Sequence, residues 1–205
     1  MSAISVDLGS VDLRDLDRRA LEAAGRLVAQ AGPEHLTGPT PCAAWNLGEL
    51  LRHMVSENRG FAAAAAGLPA DRSTWDSGEL GTDPHRAYQE SAAAVTAAFA
   101  AQDVHDRQVE VREFGVFPGR AAMGMHFVDF LVHGWDIAAS VGAPYSPDEE
   151  SAAVALAIAS RWADAPGLRG PGGPFGVRVP VPADVSDFER LLGLLGRSPA
   201  WAPSC

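Results

Sequence analysis

Apolar residues recur every three to four positions through most of this chain, the spacing of helices that bury one face. Leu13, Leu16, Ala20, Leu21, Ala24 and Leu27 predict a helix over 10–31, with Ser10 as its cap. The stretch GPEHLTGPTPCAAW, broken by prolines, reads as a connection. Asn46, with Glu49 three residues on, forms a capping-box pattern. It opens a second helix carrying Leu47, Leu50, Leu51, Met54 and Val55 along one side. Asp83 caps a third, with Pro84 at the first helical position, where its missing N–H costs nothing. A fourth helix over 120–141 ends at Gly142 and Pro144, and a fifth is capped by Ser146 and runs through SAAVALAIASRWA. SDFERLLGLLG makes a last short helix.

Two runs depart from this spacing, near 108–112 and at 175–179, and predict a small two-stranded β element that pairs them. The pattern therefore predicts an all-α protein, a helical bundle core with that β element attached. One domain over 1–205 is expected, with the bundle at about 10–163 and a glycine- and proline-rich extension at about 164–205. No repeat of fixed period is present.

The fourth helix holds the unusual chemistry. HFVDFLVHGWDIA places His126, Asp129, His133 and Asp136 on one face, within an arc of roughly 80° at the helical advance of about 100° per residue. Polar faces are usually just solvated, but solvated faces favour Lys, Arg, Glu and Gln, and this stripe has none of them. A metal or catalytic site stands level with the solvated-face reading. Asp129 and His133, one turn apart, suit a single divalent ion in a bundle. Catalytic zinc usually takes three protein ligands, so a third must come from elsewhere. His35, His53, His85 and His105 are the other histidines, of which His53 alone lies in mid-helix. A helical histidine like His53 is more often a boundary residue than a ligand, and spacing leaves the choice open.

Composition narrows the partners. A net charge of −10 would repel the phosphates of a nucleic acid. No run reaches the length of a membrane span, and MSAISVDLGSVDLRDLDRRA lacks the basic start and apolar core of a signal peptide, which predicts a cytoplasmic protein. Cys42 and Cys205 are too few and too far apart for a disulfide framework. All 16 basic residues are arginine, alongside abundant alanine, glycine and proline, as in a genome rich in guanine and cytosine.

TPCAAWNLGELLRHMV, followed some seventy residues later by DFLVHGWDIAASVG, resembles the actinobacterial branch of the DinB-like superfamily. That branch is similar to the metal-binding N-terminal domain of mycothiol-dependent maleylpyruvate isomerase. The ending GPFGVRVPVPADVSDFERLLGLLGRSPAW is similar to that of the short family members, so the resemblance covers nearly the whole chain. It implies a DinB-like four-helix bundle and a metal held by His53, Asp129 and His133. The ion it implies is zinc, with nickel, iron or manganese also suited to nitrogen and carboxylate ligands. Asp129 stands where the isomerase typically has a glutamate, a shorter arm. The isomerase also has a second, C-terminal domain, which is not expected within these 205 residues.

The resemblance implies mycothiol, a low-molecular-weight thiol, as co-substrate of an S-transferase or isomerase acting on a small molecule. Zinc with an open position would ready such a thiol for attack. Asp136 and His126 are then candidates to orient ligands or move protons; Asp136 could equally pair with an arginine, and His126 could be a further ligand. Trp45 and Trp135 read as core or pocket walls, and Cys42 as a packed residue of its turn. Two rival classes stand beside the enzyme: a non-catalytic module binding metal and a small ligand, and a metal-free structural domain forming a homodimer through helix faces.

Overall fold

The most apolar helix lies innermost. Helix α5 (Gly119–Val141) buries Phe127, Val128, Phe130, Leu131, Val132 and Ile137 on several sides, so it must be covered all round. Helix α1 (Leu13–Val28) packs along it, α2 (Leu47–Ala65) meets it from another side, and α4 (Pro84–Phe99) packs along α2 and α1. These four form the bundle. The computed structural model describes residues 6–68, 71–162, 168–170 and 175–203. Helices α6 (Glu149–Ala159) and α7 (Asp187–Leu194) pack on each other, and α6 also packs on α5. Among the described residues no helix is long and apolar enough to cross a membrane.

Several ends form as the sequence predicts. Asn46 accepts from the Glu49 N–H while the Glu49 carboxylate accepts from the Asn46 N–H, a complete capping box. Asp83 caps α4 ahead of Pro84, and Gly142 closes α5 in the left-handed conformation. Two caps differ. Asp12, not Ser10, caps α1, because its carboxylate reaches the N–H groups of Arg14 and Asp15. Asp148, not Ser146, caps α6, accepting from Ser151. A short helix that the pattern did not show, α3 (Arg72–Trp75), carries Trp75 into the core.

The expected strand pairing is corrected. Strand β1 (Gln108–Val111) pairs antiparallel with β2 (Gly115–Pro118), a neighbour in sequence, and not with 175–179. In the latter segment only Phe175 makes a bridge, to Arg169. A hairpin closes a far shorter loop than the distant pairing would, at lower entropic cost. Gly115, at φ 107°, permits its turn. The expected boundary at 163–164 and Cys205 lie outside the described residues.

Candidate metal centre

Helices α2 and α5 run antiparallel, and one turn of each supplies the site. His53 from α2 meets Asp129 and His133 from α5, with one ligand atom of each within 4.8 Å of the others. His53 Nε2 is 3.4 Å from Asp129 Oδ2, and His133 Nε2 is 3.3 Å from Asp129 Oδ1. Both imidazoles thus turn Nε2 toward one carboxylate. His53 Nε2 and Asp129 Oδ2 are shielded from solvent yet have no hydrogen-bond partner. Buried polar atoms without partners are costly, and a cation among these three groups would satisfy them. The donor set fits a divalent ion of the zinc class.

Charge is arranged around the same point. Burial would lower the pKa of His133, but Asp129 and Asp136 outweigh it and push the imidazole up to about 10. Burial would raise Asp129, yet His133 and His53 hold it well below the usual carboxylate range. Burial does raise Glu57, aided by Asp129 and opposed by His53 and Arg112.

Behind each imidazole stands a carboxylate, and behind each carboxylate an arginine. His133 Nδ1 donates to Asp136 Oδ2 at 2.8 Å, and Arg197 Nη2 donates to the same oxygen at 3.0 Å. Asp136 thus contacts His133 and pairs with an arginine at the same time. On the other side Glu57 Oε1 lies 3.6 Å from His53 Nδ1 and accepts from Arg112 Nε at 2.6 Å. Arg112, at φ 43°, is the one non-glycine residue with positive φ among those described. Its bonds to Glu57, Asp76 and the Trp75 carbonyl oppose the strain of that conformation.

His126 is not part of this cluster. Its Nδ1 faces Asp17 at 2.6 Å and its Nε2 faces Asn58 at 3.1 Å, and solvent does not reach it. One helical turn from Asp129 is enough to aim it into the bundle between α1 and α2. Arg112 and Arg197 were not picked out by the sequence as parts of the site, and Glu57 stood only as a fallback ligand in place of the three expected ones. Glu57 was within reach, since it stands four residues from His53, as His133 does from Asp129. The two arginines are distant in sequence and carry no local signal.

The triad opens onto a cavity of about 1220 Å³. Trp45, Phe61, Trp75, Phe117 and Met125 line it, and the Trp45 ring stacks on His53 with centroids 4.5 Å apart. Trp135 packs against the core instead. Cys42 lines the cavity as a half-buried free thiol, so it is a wall residue and not only a packed one.

Fold and site together define a helical bundle with a candidate His–Asp–His metal centre, and the comparisons say which kind. Residues 18–138 match the mycothiol maleylpyruvate isomerase N-terminal domain. The chain belongs to that family. Proteins from two strains of Mycobacterium tuberculosis, each described as uncharacterized, are 33% identical over 181 residues, covering 88% of this chain and 95% of theirs. The crystal structure of the mycothiol-dependent maleylpyruvate isomerase shares the fold with a TM-score of 0.57 at 14% identity, over 80% of this chain and 74% of that one. A mutant of that enzyme matches with a TM-score of 0.56.

Proposed function

We propose that this protein is a divalent-metal-dependent enzyme that uses a low-molecular-weight thiol, mycothiol by family, and transfers it to or isomerises a small electrophile. The observation that carries this reading is the convergence of His53 Nε2 and Asp129 Oδ2, buried atoms without a hydrogen-bond partner, beside His133 in the lining of a cavity. His53, Asp129 and His133 would hold the ion, proposed as zinc. The chemistry a zinc-class ion supplies at such a site is Lewis acidity, which lowers the pKa of a thiol so that it is nucleophilic at neutral pH.

The chain's own residues supply the rest. Asp136 fixes the His133 tautomer by accepting from Nδ1, leaving Nε2 for the ion. Trp45 holds the His53 ring in place by stacking. Phe61, Trp75, Phe117 and Met125 give the cavity apolar walls against which an apolar part of a substrate could pack. The cavity exceeds the roughly 300–1,000 Å³ of ordinary small-molecule sites, so a thiol and a second substrate fit together.

The test is metal analysis of purified protein, followed by a mycothiol-consumption assay against a panel of electrophiles. One equivalent of zinc with thiol-dependent turnover supports the proposal. Metal without turnover favours the binding module, and a metal-free protein that cannot be loaded with zinc overturns the reading. His53→Ala and His133→Ala should each abolish stoichiometric zinc, because two remaining ligands hold an ion weakly.

A further inference from the structure

Arg197 lies beyond α7, 61 residues from Asp136, yet its guanidinium is buried against that carboxylate. Nη2 donates to Oδ2 at 3.0 Å, Nε lies 3.5 Å from Oδ1, and Nη1 donates to the Leu195 carbonyl at 2.9 Å. The backbone holds it there: its N–H bonds to the Leu192 carbonyl at the end of α7. The preceding Gly196 has φ 84°, and a Cβ there would stand 2.6 Å from the Gly176 backbone. Side chain and backbone together make one rigid delivery of a cation to Asp136.

Asp136 is fully buried, and it is the residue that orients His133. Without Arg197 that carboxylate would keep only the His133 N–H as a charged partner, and its position would no longer be fixed from both sides. We infer that Arg197 is a positioning residue of the metal centre, acting through Asp136 on His133, and that the C-terminal segment and the bound ion thereby stabilise one another. This rests on the metal reading above. The reciprocity is thermodynamic: if a docked segment tightens the ion, the ion must tighten the docking by the same factor. Arg112 is the natural comparison, since Glu57 lies 3.6 Å from His53 Nδ1, too far for a hydrogen bond. Its effect on the ion is accordingly the weaker.

The experiment is zinc affinity, by competition with a chelator, for the full chain and its Arg197→Met, Arg197→Lys and Asp136→Asn variants. Arg197→Met and Asp136→Asn should each weaken zinc by about 10–100-fold, the usual effect of losing a group that orients a ligand. The double variant should be no worse than the weaker single, because the two residues act in series. Arg197→Lys should fall between, keeping the charge but not the fork. A second measurement needs no variant. Zinc should slow hydrogen exchange of the α7 amides in the unaltered protein, and Asp136→Asn should remove that effect. Folded Arg197→Met with unaltered zinc affinity, or α7 exchange indifferent to zinc, overturns the inference while leaving the metal reading in place. Failure of the unaltered protein to bind zinc overturns the metal reading itself.

Discussion

His126 and Asp17 form a buried pair, Nδ1 to Oδ1 at 2.6 Å, that ties α5 to α1 in the interior of the bundle. The chain of contacts continues through Asn58 on α2 to Ser91 on α4, whose hydroxyl donates to the Tyr88 carbonyl. One polar thread therefore touches all four bundle helices. Phe61, Phe99 and Phe130 surround the imidazole, so no water can replace a lost partner there. Removing Asp17 should cost about 3–5 kcal/mol, as breaking a buried pair usually does. Asp17→Asn and His126→Gln should lower the denaturant midpoint strongly yet leave zinc stoichiometry untouched. Loss of zinc from folded His126→Gln would instead place His126 in the metal centre.

The His133 imidazole, raised to about 10 from an ordinary 6.5, links stability to pH. Groups facing it are Asp129 and Asp136 on its own helix and His53 on α2, with Arg197 from the C-terminal segment paired to Asp136 behind it. A raised folded pKa gives stability that is complete below the unfolded value and lost as pH climbs through the folded one. Metal-free protein should therefore lose stability from about pH 6.5 to about 10. Depressed Asp129 and Asp136 act at the other end: their contribution, present above the unfolded carboxylate pKa, is lost as acid protonates them.

Zinc should show the opposite trend over the same range. Binding must displace the His133 proton, so affinity should rise by about tenfold per pH unit for that one proton. Calorimetry in buffers of different ionisation enthalpy would count the released proton. A pH-independent affinity would mean that His133 is not a ligand.

Gly60→Ala tests the aromatic wall. A Cβ there would stand 2.0 Å from the Trp75 ring, which is buried and has the Arg112 guanidinium 5.3 Å from its centroid. Since the Cβ would overlap the ring itself, the variant should lose about 1–3 kcal/mol, the usual cost of overpacking. Tryptophan emission should shift as the ring is displaced. Unchanged stability and emission would show that the wall yields.

Cys42→Ser should leave zinc binding and any thiol-dependent turnover within a few-fold. The thiol lines the cavity but is not one of the three converging groups. Total loss of turnover in a folded, zinc-loaded variant would make the thiol a participant.

Local order was readable in the chain because local order has local causes. Helical periodicity marked every bundle helix, and Asn46 with Glu49 or Asp83 with Pro84 marked their starts, since a cap bonds within three residues. The Asp129–His133 pair was equally visible, because a helix brings i and i+4 together whatever surrounds it. Which strand pairs with which, and where each side chain of the polar stripe points, depended on packing. His126, Asp129 and Asp136 share a helix face, yet they meet Asp17, His53 and Arg197 on three different segments. Spacing could put them on one side of a helix. Only the helices and tail packed around that side decided that one residue braces the bundle, one faces the cavity and one anchors the C-terminal segment.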